Sequence, residues 1–219
     1  MEDQSNPDHL NSSMTDLMTS LMVIFILLLL VFVHRTAGKD AAVTDVLLKR
    51  LRYEMQPQGF NENTIRPDPR DRNAILVIVP DRLMNFEAGK SKLRPEGEQF
   101  LKGYIPHLAE VLCGDQFRSS IESIVVEGHT DTQPYVGHTV EESESLNLKL
   151  SQDRSMVVVE NALADLSSME AKRGCFLEKL SASGRGEQEQ EPTADESRRV
   201  ILKIRVKVVD EALLRAKVQ

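Results

Sequence analysis

The stretch Ile121-Glu122-Ser123-Ile124-Val125-Val126-Glu127-Gly128-His129-Thr130-Asp131 decides the fold. Its first seven residues carry the branched apolar side chains of a strand, and Gly128 then opens a polar turn that ends on a carboxylate. On its N-terminal side, Pro95 suits a first helical turn, and Glu96 to Cys113 places Phe100, Leu101, Tyr104, Ile105, Leu108, Val111 and Leu112 on one face. Pro106 falls inside this pattern and is expected to kink or split the helix. Further back, Ala74 to Val79, bounded by Pro80, is a short apolar run of strand type. On the C-terminal side an acidic loop passes through Glu141, Glu142 and Glu144. Ser151 is placed to cap a helix from Gln152 to about Leu166, with Met156, Val159, Leu163 and Leu166 as its apolar face. Phe176 to Ala182 is predicted as a third strand, ended by Gly184-Arg185-Gly186-Glu187. A polar loop, Gln188 to Ser197, then leads to a strand over Val200 to Val209. The order β-α-β-α-β-β with helix-length crossovers predicts an α+β sandwich over residues 73–210, with helices on one face of a mixed sheet.

The opposite end of the 219-residue chain has a different character. Met14 to His34 is long and apolar enough, at about 1.5 Å per residue, to cross a hydrocarbon core of roughly 30 Å. A signal peptide fits less well. Residues 1–13 hold Glu2, Asp3 and Asp8 but no Lys or Arg, and no small-x-small site precedes His34-Arg35. The span therefore reads as a single-pass anchor behind a short disordered head, residues 1–13. At its entrance lies Asp16, with Thr19 and Ser20 one turn on. A charged group in hydrocarbon costs roughly 2.5–3.5 kcal/mol on insertion scales, so this carboxylate is a functional candidate, with simple helix capping as its alternative. Residues 35–72 read as a linker containing a short amphipathic helix, Ala41 to Gln56, with Val43, Val46, Leu47, Leu51 and Met55 near helical spacing. Residues 211–219 read as a tail with a short helix. Arg35, Lys39, Lys49, Arg50 and Arg52 all follow the span, so the charge rule alone would place the large domain in the cytoplasm.

A net charge of −7, with basic residues dispersed, argues against nucleic acid as a partner. Two cysteines, Cys113 and Cys175, are too few for a disulfide scaffold and lack metal-ligand spacing. His129, and His138 near Glu141, belong to an acidic loop rather than to a metal centre. No catalytic constellation and no cofactor motif is present in the sequence, and an enzyme is not expected. Three polar clusters lie at chain ends that the topology brings to one rim: Thr130-Asp131, Asn147 with Arg154, and Arg198-Arg199. Asp131 suits an ammonium and Arg154 a carboxylate, a pair fitted to a zwitterion; a plain Asp131–Arg154 ion pair is the alternative.

Gly128-His129-Thr130-Asp131, Asn147-Leu148-Lys149-Leu150-Ser151-Gln152-Asp153-Arg154, Gly184-Arg185-Gly186-Glu187 and Arg198-Arg199-Val200 resemble, in order, the motifs of the OmpA-like peptidoglycan-binding domain. In that family the aspartate of the first motif and the arginine of the second clasp the diaminopimelate of the peptide stem. The resemblance carries these roles to Asp131 and Arg154, with Thr130, Asn147, Arg198 and Arg199 around them. Two features depart from the family pattern: a longer, acidic loop between the first two motifs, and Ser197 where Asn often precedes Arg-Arg. Thr15-Asp16-Leu17-Met18-Thr19-Ser20-Leu21-Met22 is similar to the membrane segment of MotB-like stator subunits, whose aspartate carries ions. The acidic head and leucine-rich span resemble the Zorya anti-phage branch of these subunits more than the flagellar one, in which Ala41 to Gln56 would be a plug. The resemblance implies a periplasmic domain, a cytoplasmic N-terminus and an inner-membrane location, against the charge rule. It also implies a homodimer inside a pentamer of MotA-like subunits (ZorA in Zorya systems), with protons or sodium as cargo. In an oxidising periplasm, Cys113 at the end of one helix and Cys175 before a strand become a candidate disulfide.

Overall fold

The computed structural model describes residues 7–207, with side chains at 15–33 and 43–207. These fall into two compact units, the N-terminal segment through Asp40 and a larger one from Ala41. The first helix, α1 (Pro7–Met55), contains the apolar segment Thr15–Val33, whose mean hydropathy is 2.7 and whose side chains are all exposed. It is long and apolar enough to cross a membrane. The head expected to be disordered is helical from Pro7, and residues 1–6 and the tail helix expected over 211–219 lie outside the described residues.

In the larger unit, the amphipathic helix expected from Ala41 is present as the end of α1. Leu47, Leu51 and Met55 are fully buried, while Val46, Lys49, Arg50 and Tyr53 are exposed. This segment is a wall of the core, not a tether outside it. A 3-10 turn at Gln56–Gln58 ends it on Gly59, whose φ of 86° is left-handed. Phe60 then stacks on Tyr104, 5.2 Å between ring centroids, and Phe100 stacks on Tyr104 at 5.4 Å. The expected linker also supplies a short edge strand, β1 (Ile65–Pro67), where a proline without an N–H is tolerated.

The sheet runs β1-β2-β5-β3-β4, from β2 (Ala74–Pro80), β3 (Ile121–His129), β4 (Leu180–Gly184) and β5 (Arg199–Val206). Only β3 and β4 pair in parallel; every other pairing is antiparallel. Side chains alternate in strands, so Ile75, Val77, Val79, Ile124, Val126, Val200, Leu202, Ile204 and Val206 share the core. The helices over this layer are α2 (Asp81–Met84), α3 (Pro95–Leu112), α4 (Val140–Asp165) and α5 (Glu170–Lys179), with a single-turn α6 (Ala194–Ser197) in the last loop. This is the α+β sandwich expected, with a mixed sheet.

Several boundaries differ. α3 is continuous through Pro106. The acidic loop is the first turn of α4, which starts at Val140 and not at Gln152. The Thr139 hydroxyl accepts from the Glu142 N–H, and the Glu142 carboxylate accepts from the Thr139 N–H, a complete capping box. Ser151 is interior to the helix: its hydroxyl donates to the Leu148 carbonyl at 2.7 Å and accepts from the Gly186 N–H at 2.8 Å. Of the apolar face expected for α4, Leu166 is buried and Val159 and Leu163 pack partly buried against the core, whereas Met156 is exposed; Val158 and Ala162 are the fully buried apolar positions of the helix. Phe176 and Lys179 belong to α5, so the third strand begins only at Leu180. Cys175, on α5, is bonded to Cys113 at the end of α3, with Cα atoms 6.0 Å apart.

Candidate functional site

The strand directions build the site. β2, β3 and β4 end, and β5 begins, on one rim, which gathers Asp81, Thr130, Asp131, Arg185 and Arg198. α4 lies against that rim because Gly128 has no side chain: a Cβ there would sit 2.1 Å from the Ser151 carbonyl oxygen. The N-terminal half of α4 buries polar residues, Ser143, Asn147, Ser151, Arg154 and Ser155, and Arg154 is thereby presented to a cavity of about 570 Å³. The same cavity is lined by Thr130, Asp131, Asn147, Arg198, Asp81 and Tyr135. Five of the six wall-binding residues expected from the sequence therefore meet in one place.

Each is held differently. The Arg198 guanidinium donates to Asp131 Oδ2 at 2.6 Å, and Asp81 and Asp195 are also its partners. This hydrogen bond to the Asp131 carboxylate raises the Arg198 pKa above the ordinary arginine value. Asp131 therefore pairs with Arg198, not with Arg154, and the simple Asp131–Arg154 bridge considered above is not formed. Arg154 is almost fully buried; its Nε donates to the Lys90 carbonyl at 3.0 Å, and its guanidinium lies 4.9 Å from the centroid of the Phe86 ring. Burial pulls its pKa below the ordinary arginine value, and the nearby Asp81 carboxylate works against that shift. Burial likewise raises the Asp81 pKa, while Arg154 and Arg198 oppose it. The terminal nitrogens of Arg154 have no protein hydrogen bond among the described residues, so the planar fork remains free for a carboxylate. Thr130 Oγ1 is buried beside them without a partner. Asn147 donates to Glu187 Oε1 at 2.8 Å and to the Gln133 carbonyl, tying two loops over the cavity.

Arg199 does not join this group. Neighbouring residues of an extended chain point to opposite sides, so Arg198 faces the cavity while Arg199 turns away. Arg199 donates to the carbonyls of Glu189, Glu196 and Ser197 and pairs with Glu191 at 3.6 Å, strapping the loop before β5. Asp81, Phe86 and Tyr135 were not anticipated. The Asp81 position directly after the strand-ending Pro80 is the one signal that could have found it.

In the apolar segment, Asp16, Thr19 and Ser20 occupy one helix face at i, i+3 and i+4. The Thr19 hydroxyl donates back to the Thr15 carbonyl, so its oxygen remains able to accept.

The profile of the OmpA family matches residues 85–201. The chain is 24% identical over 181 residues to the Zorya protein ZorB of Escherichia coli, covering 78% of this chain and 74% of that one. A MotB-like protein from Desulfovibrio vulgaris has a similar fold, with a TM-score of 0.56 at 19% identity over 78% of this chain and 98% of the other. The periplasmic domain of Helicobacter pylori MotB gives a TM-score of 0.49 at 14% identity, over 69% and 84% of the two chains.

Proposed function

From the premise that this chain belongs to the OmpA family, we propose that it is the wall-anchored, ion-carrying subunit of a MotA–MotB-like motor of the inner membrane, working in Zorya-type anti-phage defence. One observation carries this reading: a single chain joins an apolar helix bearing Asp16 to a domain whose cavity holds an acceptor, Asp131, opposite a free guanidinium fork, Arg154. The similarity to the Zorya protein ZorB supports defence over flagellar rotation. In the cavity, Asp131 takes the ammonium of a stem diaminopimelate, and Arg154 takes a carboxylate through two parallel N–H bonds. Asp81 and Arg198 keep the desolvated charges balanced. In the membrane, Asp16 gains a proton on one side and releases it to the other as a partner helix moves past. About 2.3 kcal/mol per charge per 100 mV of membrane potential drives each transfer. Protons rather than sodium are the cargo proposed, since a single carboxylate carries a proton without further ligands. The N-terminus is cytoplasmic, the domain is periplasmic, and a homodimer of this chain sits within a MotA-like pentamer.

The test separates the two halves. Full-length chain sedimented with purified peptidoglycan loses most of its binding in Asp131→Ala and in Arg154→Ala, and normal retention of both variants overturns the wall site. Asp16→Asn keeps wall binding but abolishes protection of cells from phage. Undiminished protection would instead make the chain a passive anchor.

A further inference from the structure

A second cavity, of about 650 Å³, adjoins the first, and Asp81 and Arg198 line both. It lies beside the β1 edge, with Asn63, Thr64, Arg66, Arg82 and Arg199 in its wall. We propose that this cavity receives the length of peptidoglycan stem adjoining the clasped residue, with Arg82 and Arg66 holding a stem carboxylate and Asn63 the peptide backbone. The inference rests on the wall-binding reading of the first cavity and extends it to the polymer.

Three observations lead here. A wall residue clasped by Asp131 and Arg154 is part of a peptide that continues past the clasp, and the cavity sharing a wall with it gives that continuation a place. Arg198 divides the two and pairs with three carboxylates, Asp81, Asp131 and Asp195. The carboxylates of the second cavity are already engaged. Glu191 pairs with Arg199 at 3.6 Å and more loosely with Arg66 at 3.9 Å, Asp195 pairs with Arg198, and Glu196 accepts from the Thr193 hydroxyl. Arg82 is exposed and has no ion-pair partner among the described residues, and Arg199 Nε is buried without a hydrogen bond. The unmatched groups are thus donors. The Asn63 side chain is exposed at the same wall, whereas the Thr64 hydroxyl is spent on Asn61. Stem peptides carry carboxylates beyond that of the diamino acid, and Arg is the side chain best shaped to meet them.

Calorimetric titration of the full chain in detergent with two probes, free diaminopimelate and a stem tripeptide ending in it, tests the assignment. Wild type binds the tripeptide more tightly. Arg82→Glu lowers tripeptide affinity about tenfold or more and leaves diaminopimelate binding unchanged, and Asn63→Ala lowers it by a smaller factor. Equal tripeptide affinity in Arg82→Glu and wild type overturns the proposal, as does an equal loss for both probes. Asp131→Ala loses both probes if the clasp reading holds, and a wild-type chain that binds neither probe removes that reading and this extension together.

Discussion

His129 ends β3 beneath the loop that leads to β5, almost fully buried, with Nδ1 donating to the Gln188 carbonyl at 3.1 Å. Burial, and then the Arg199 guanidinium opposite it, push its pKa down to about 4. The folded protein therefore keeps the ring neutral where the unfolded chain, titrating near 6.5, takes up a proton. As pH falls from 6.5 towards 4, the unfolded state gains protons that the native state refuses, and stability is lost by on the order of 3 kcal/mol. Below about 4 this contribution is flat. Urea midpoints of wild type and His129→Gln, compared between pH 7.5 and 4.5, should show a much smaller acid loss in the variant; equal losses would refute the assignment. Glu127 and Asp81, whose pKa values burial raises, work in the opposite sense in both proteins and cancel in the comparison. At this scale Asp131, Arg154, Thr130 and Asn147 are legible in the sequence through the motifs that resemble the OmpA family, and the fold brings them to one cavity. It does not identify Asp81 or Phe86, whose roles arise only when the end of β2 is folded next to α4.

Among the elements, α4 shows why a reading by hydrophobic period starts the helix too late. The buried face of its first half is serine, asparagine and arginine, so the apolar stripe begins only at Val158. The cap was nevertheless visible: Thr139-x-x-Glu142 supplies both halves of a capping box, whereas Ser151-x-x-Arg154 supplies only one. Thr139→Ala should cost about 1 kcal/mol, seen as a lowered denaturant midpoint with an unchanged slope. The end of α1 makes a second case. Its spacing shows an amphipathic helix, but spacing alone does not tell a surface plug from a core wall. Burial of Leu47, Leu51 and Met55 decides for the wall. Leu51→Ala should destabilise the domain by about 2–5 kcal/mol in chemical denaturation of the full chain. A change within about 0.5 kcal/mol is what a free surface helix would give.

For the whole molecule, the order of the strands across the sheet emerges only in the fold, whereas the sandwich and the succession of its main strands and helices along the chain follow from a few short apolar runs and the helices between them. The edge strand β1 and the single-turn α6 do not, since Pro67, Pro69 and the polar run before Arg198 read only as loop. The bond between Cys113 and Cys175 spans a sequence separation of 62. Closing so long a loop removes entropy from the unfolded chain, and the double variant Cys113→Ser with Cys175→Ser should lose about 2–4 kcal/mol, read as a lowered melting temperature under oxidising conditions. That same bond has a mechanical consequence. Asp131 and Arg154 both lie inside the covalent ring it closes, so a pull on anything they grip divides between two arms, one running from Asp131 back to Cys113 and the other from Arg154 on to Cys175. With both arms joined at the sulfurs, tension on this part of the chain can draw the ring out but cannot open it, whichever arm's hydrogen bonds give way first.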